Sequence, residues 1–176
     1  MRVLGSLGAR QPPAAAMSKR SSTVVEVTGI DHLYISVSDL LLAEAFYDQV
    51  LINTLGFRKS HFSLAGAAHI QYFNRHFGFV LRPATTLSSH DPYAPGLQHF
   101  CLRVESIADV HAVAEQLRSA GIAASPAQLY PQYAPDYCAT HFCDPDGIRL
   151  EVSNYRQERR ERHDHWPPSQ AQNSQK

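Results

Sequence analysis

Long apolar runs are missing from this 176-residue sequence. No stretch approaches the roughly 18 residues that a membrane-crossing helix needs, so no membrane partner is expected. An excess of one charge sign is missing too. Lys+Arg and Asp+Glu are both 16, and the formal net charge is zero. That balance gives no electrostatic reason to expect nucleic acid or an anionic surface as partner. Cysteine is scarce: Cys101, Cys138 and Cys143 are odd in number and form no CxxC pair. Nothing resembles a disulfide framework or a zinc-finger pattern. The three are expected to be buried thiols in a reducing, cytoplasmic setting.

What is present is globular composition, 44% apolar and 18% charged, enough for one domain with a core. The ends differ from the middle. Residues 1–23 carry four basic residues and no acid, are rich in Ala, Pro, Ser and Gly, and lack a sustained apolar segment. A secretory signal is therefore not expected. The stretch loosely resembles a transit segment but reads as a disordered extension over 1–26, and leaves open whether Met1 or Met17 is the true start. The charged, low-complexity stretch 156–176 is also expected to be disordered.

Between the ends lies an internal repeat. I-D-H-L-Y-I-S-V leads to D-L-L-L-A-E-A-F-Y-D-Q-V-L and then L-G-F. L-Q-H-F-C-L-R-V leads to S-I-A-D-V-H-A-V-A-E-Q-L-R-S-A and then G-I. Asp39 and Ser106 are the expected helix N-caps, Gly56 and Gly121 the C-terminal glycines. Module one spans 27–83, a Pro- and Ser-rich linker 84–96, and module two 97–155. Each module predicts the order βαβββ, giving an α+β protein with an open, curved, mixed sheet around a cavity. The later strands are expected at 58–64, 68–73 and 77–82 in module one. In module two they are expected near 122–126, at 138–143 and at 148–153.

Alternation gives each of three strands one apolar and one polar face. His32, Tyr34 and Ser36 oppose Leu33, Ile35 and Val37. His99, Cys101 and Arg103 oppose Phe100, Leu102 and Val104. Arg149, Glu151 and Ser153 oppose Ile148, Leu150 and Val152. The polar faces are typical of a ligand cavity rather than a solvated surface. His32 and His99 occupy matching places in the repeat. With Glu151 they form the donor set of a facial triad for a divalent metal with open positions.

The segments H-L-Y-I-S-V, H-F-C-L-R-V and D-P-D-G-I-R-L-E-V resemble the vicinal oxygen chelate superfamily. That superfamily includes glyoxalase I, fosfomycin-resistance proteins, methylmalonyl-CoA epimerase, bleomycin-binding proteins and type I extradiol dioxygenases. The resemblance runs from about Val27 to Tyr155. Its most specific part is Asp144-Pro145-Asp146-Gly147, a tight turn ahead of the strand bearing Glu151. It implies paired βαβββ modules around one divalent metal, Fe, Mn, Ni or Zn, and a small substrate that chelates it through adjacent oxygens. His32, His99 and Glu151 fall on three ligand positions. Setting Gly78 against Gly147 puts Arg82 at the fourth, with Leu81 or Pro83 one residue away, and none is a ligand. This departure disfavours glyoxalase I or epimerase chemistry of the usual four-ligand kind. The single lysine of the core, Lys59, leaves fosfomycin-type transfer thin.

The expected function is thus a metal-dependent glyoxalase-like enzyme, a lyase. The alternatives are a ring-cleaving dioxygenase and a non-catalytic binder of drugs or metabolites. Tyr133, Tyr137 and His141 are the candidate acid–base groups. The first two lie in Y-P-Q-Y-A-P-D-Y, a candidate aromatic lid. His141 shares a face with Ala139 and Cys143, opposite Thr140 and Phe142, and alternation does not say which face is inward. Tyr34, Arg82, Arg103 and Arg149 are the candidate substrate-binding residues, the arginines suiting an anionic group. The implied fold class commonly dimerises, and the sequence leaves a homodimer open.

Overall fold

The computed structural model describes residues 25–167. The expected N-terminal extension up to residue 24, with Met17, and the tail from 168 on lie outside the described residues. In module one the polar–apolar alternation of 32–37 folds as strand β1 (His32–Val37). Asp39 then caps helix α1 (Leu40–Tyr47), its carboxylate accepting from the amides of Leu41 and Leu42. The helix continues as a wider π-helical segment, Asp48–Thr54. It ends at Gly56, whose φ of 70° is the left-handed value that stops a helix cheaply only at glycine. Strands β2 (Arg58–Leu64), β3 (Ala67–Phe73) and β4 (Gly78–Pro83) follow. The sheet order is β1-β4-β3-β2, with β1 and β4 parallel and the other neighbours antiparallel.

Module two repeats the plan. Strand β5 (Phe100–Val104) feeds helix α2 (Ile107–Ser119). Ser106 and Asp109 form a reciprocal capping box at its start, and Gly121, with φ 81°, ends it. Strands β6 (Gln128–Leu129), β7 (Cys138–Cys143) and β8 (Arg149–Asn154) complete the order β5-β8-β7-β6. The chain therefore has the expected paired α+β architecture, as two four-stranded mixed sheets.

The sheets share their apolar faces. Ile35, Val37, Phe79 and Leu81 from one and Leu102, Phe142, Leu150 and Val152 from the other belong to one core, with Tyr47, Leu51 and Leu117 from the helices. Phe46 meets Phe142 at 6.4 Å between ring centroids, and Phe79 meets Phe100 at 5.3 Å. Burying one apolar face of each sheet in common leaves the polar faces pointing outward.

Three expectations are corrected. The segment 122–126 forms no strand. Pro126 has no amide hydrogen, and Ser125 makes one backbone bond to β7, its amide donating to the His141 carbonyl at 2.9 Å, while the His141 amide is taken by Ser125 Oγ at 3.0 Å instead of a ladder carbonyl. Part of the tail expected to be disordered is helix α3 (Gln157–Asp164). It is anchored from outside: Asp136 accepts from the Gln157 amide at 2.7 Å, and Arg160 pairs with Glu105 at 2.7 Å. Of the thiols only Cys138 is buried; Cys101 and Cys143 are exposed, because both sit on the outward face of their sheet. Among the described residues no helix is long and apolar enough to cross a membrane.

Candidate functional site

Register assembles the polar face of module two. Cys101 on β5 stands opposite Glu151 on β8, and His141 on β7 stands opposite it on the other side. His141 is thereby placed on the Glu151 face, which alternation alone left open. The preceding turn aims β8. Asp144 Oδ1 accepts from the amides of Asp146 and Ile148 at 3.0 and 2.8 Å, and Gly147 takes φ 84°.

At the centre is Glu151, whose side chain is 6% exposed, beside His99, at 45%. Glu151 Oε2 lies 3.2 Å from His99 Nε2. His99 Nδ1 is hydrogen-bonded to the side-chain oxygen of Gln98. With Nδ1 held by Gln98, Nε2 is the ring nitrogen that faces Glu151. The other carboxylate oxygen, Oε1, accepts from the Tyr137 hydroxyl. No Lys or Arg pairs with this buried carboxylate among the described residues; its histidine neighbours are His99 and, at 3.8 Å, His141. Buried carboxylates need compensating charge or hydrogen bonds, and His99 Nε2 with Glu151 offers two of the donors that a divalent metal takes.

The aromatic residues ahead of β7 cluster here. Tyr130 meets His141 edge-on at 5.5 Å between centroids, and Tyr133 and Tyr137 pack at 5.7 Å. Burial, with the Glu151 hydrogen bond next, pushes the Tyr137 phenol well above its ordinary value. It is a donor to Glu151 rather than a ready base. Tyr133 is 70% exposed. Cys101 Sγ sits 3.1 Å from Ser153 Oγ; although the residue as a whole is exposed, desolvation around its sulfur raises this thiol to about 11, which keeps it protonated at neutral pH.

Module one carries the third expected ligand. His32 Nδ1 bonds Asp31 Oδ2 at 2.7 Å, and its ring meets Tyr34 edge-on at 5.4 Å. The arrangement repeats that of His99: an oxygen acceptor on the preceding residue holds Nδ1 and turns Nε2 outward. His32 and Tyr34 line a cavity of about 350 Å³ on the outer face of this sheet. Val80 stands opposite Tyr34, as Glu151 stands opposite Cys101. The register therefore gives the fourth ligand position to Val80 rather than to Arg82, Leu81 or Pro83, and it is likewise not a ligand.

The structure brings His99, Glu151, His141 and Tyr137 together; it does not bring His32 to them. No group of three or more His, Cys, Asp or Glu side chains among the described residues is placed to hold a metal. The arginines stand apart. Arg103 stacks on Tyr155 at 3.9 Å, Arg149 on Tyr93 at 4.9 Å, and Arg82 Nε reaches the Pro83 carbonyl at 3.4 Å. Sequence reasoning missed Gln98 and Asp31. Their signal was present: each immediately precedes a strand histidine and carries an oxygen acceptor.

Comparison with known proteins agrees with this architecture. The Glyoxalase/Bleomycin resistance protein/Dioxygenase superfamily profile matches residues 29–152. A glyoxylase/bleomycin resistance protein/dioxygenase domain from Frankia sp. EAN1pec is 25% identical, with TM-score 0.62, over 74% of this chain and 100% of that one. A glyoxalase family protein from Enterococcus faecalis is 24% identical, with TM-score 0.55, over 72% and 97% of the two chains. A lactoylglutathione lyase from Agrobacterium tumefaciens is 21% identical, with TM-score 0.55, over 73% and 94%. The latter two are likenesses of fold alone. A search of curated proteins gives no match. With paired βαβββ modules and a matching profile over most of its length, the chain belongs to the Glyoxalase/Bleomycin resistance protein/Dioxygenase superfamily.

Proposed function

We propose that the chain is a metal-dependent, glyoxalase-like enzyme on a small substrate with two adjacent oxygens. One divalent ion, of Fe, Mn, Ni or Zn, would be held by His99 and Glu151 of one chain and His32 of a second copy. The observation that carries this is the His99 Nε2–Glu151 Oε2 approach of 3.2 Å, with Nδ1 already occupied by Gln98. The polar faces that the shared core leaves outward support the homodimer, since they leave His32 and the His99–Glu151 pair open to a second copy. When bound, the ion supplies Lewis acidity and a template for two substrate oxygens.

The chain's own residues do the rest. Gln98 and Asp31 fix the ring orientations of His99 and His32. Tyr137 holds Glu151 so that Oε2 faces His99. His141, beside the carboxylate, is the group that moves a proton to or from the bound substrate. Val80 leaves the fourth position free. One observation favours a second reading, ring cleavage by a dioxygenase: His141 and Tyr130 stand together beside Glu151 as acid–base groups.

Metal analysis of the purified protein beside His99→Ala tests the proposal. Metal in the parent and its loss in the variant is the expected result; equal metal in both overturns it. Turnover with Fe(II) that consumes oxygen selects the dioxygenase, and turnover with Ni(II) or Zn(II) without oxygen selects the lyase. A metal-free protein that binds metabolite without turnover returns the chain to a binding module, a role for which His32, His99 and Glu151 have no use.

A further inference from the structure

The module-one cavity has walls of two kinds. Tyr34, Phe62, Phe73 and Phe77 supply aromatic surface, and the β3–β4 turn supplies the cation of Arg75. The rings are fixed from below. Phe62 stacks on His69 at 4.9 Å with the planes 21° apart, and Tyr34 meets the same imidazole edge-on at 6.1 Å. His69 is 3% exposed, and its Nδ1 bonds the Ala67 carbonyl at 2.9 Å. The turn is fixed as well: Asn74 Oδ1 accepts from the amides of His76 and Phe77 at 2.8 and 3.2 Å.

Arg75 makes one side-chain hydrogen bond among the described residues, from Nε to His76 Nε2 at 3.2 Å. Its two terminal amines remain to donate. Asp31, also on the cavity wall, has its carboxylate engaged by His32. Gly78 forms part of the wall beside His32, where even a Cβ would come within 3.6 Å of the His32 Cβ. The absence of a side chain there keeps the space against His32 open.

We propose that this juxtaposition of aromatic walls with an uncommitted guanidinium makes the module-one face the seat of an aryl carboxylate. The ring lies against Phe62 and Tyr34, and the carboxylate is held by the terminal amines of Arg75. A planar carboxylate matches the guanidinium fork bidentately. A cavity of about 350 Å³ is within the range of small-ligand sites. The proposal deepens the functional reading by naming the substrate class, since His32 borders the same cavity.

The test uses the full chain stripped of metal, with 2-naphthoate and its uncharged counterpart 2-naphthol as fluorescent probes. Arg75→Ala is expected to weaken 2-naphthoate at least tenfold and to change 2-naphthol less than twofold. Phe62→Ala, checked for folding by circular dichroism, should weaken both. Absence of 2-naphthoate binding to the parent, or equal binding to parent and Arg75→Ala, overturns the proposal. Because the probes are read without metal, loss of the metal reading with Arg75-dependent binding intact separates the two claims. Metal retention with no probe binding separates them the other way.

Discussion

The Tyr47 hydroxyl donates to Asp144 Oδ2 at 3.0 Å across 97 residues of sequence, fastening the α1 helix of one module to the turn that aims Glu151 in the other. Tyr47 is fully buried, and burial followed by the nearby Asp144 charge holds its phenol well above the ordinary value, so it stays a donor. Tyr47→Phe should cost about 1–3 kcal/mol, since it leaves a buried acceptor short of a partner. Denaturant unfolding checks this. Asp144→Ala should cost more than Tyr47→Phe, because Asp144 also accepts two backbone amides of its turn.

Tyr137 and Glu151 share a hydrogen bond that occupies one carboxylate oxygen. Partners of this kind orient metal ligands, and their loss typically costs about 10–100-fold in metal affinity. Tyr137→Phe is expected to lower affinity in that range while the protein stays folded. Titration with Zn(II), followed by calorimetry, measures it.

His141 is a different case. It neighbours Glu151 but lies outside the proposed ligand set. His141→Ala should retain metal at the parent stoichiometry and lose about 10²–10⁴-fold in turnover, the usual contribution of a positioned acid–base group. Metal analysis beside initial rates separates the two quantities.

Lys59 lies between Glu44 at 2.7 Å and Asp48 at 2.6 Å, and His61 also reaches Glu44. The Lys59 hydrogen bond, then that of His61, holds the Glu44 carboxyl below its ordinary 4.5. Bonds to Asp48 and then Glu44 raise Lys59 above 10.5. A lowered acid stabilises the fold above its unfolded pKa and loses that contribution as pH falls through the folded value. A raised base stabilises below its unfolded pKa and loses its contribution as pH rises through the folded value. The cluster therefore supports stability between about 4.5 and 10.5 and weakens on either side. Lys59→Met should cost about 1 kcal/mol at neutral pH and flatten the acid limb of the thermal stability profile.

The modules were legible because each rests on local signals. Alternation marked β1, β5 and β8, side-chain oxygens at Asp39 and Ser106 marked the helix starts, and glycines 56 and 121 marked their ends. What was not legible depends on partners distant in sequence. Helix α3 is held by Asp136 and Glu105, which composition cannot reveal. The outward orientation of His141 needed its register against Glu151. Val80 replaces Arg82 at the fourth position because strand pairing, not glycine spacing, sets equivalence. His32 and His99 were recognisable as equivalent in the repeat. Their separation in one chain follows from which faces the two modules bury together, a tertiary choice that a repeat does not encode.

The most direct test of the central claim is metal content in a mixed dimer of His32→Ala and His99→Ala chains, co-expressed with different tags and purified through both. A site built from His32 of one copy and His99 with Glu151 of the other predicts that each variant alone holds no metal. The mixed dimer then holds one ion, because one of its two sites keeps all three ligands. A mixed dimer as empty as its parents, or no dimer at all beside a metal-loaded monomer, contradicts the account.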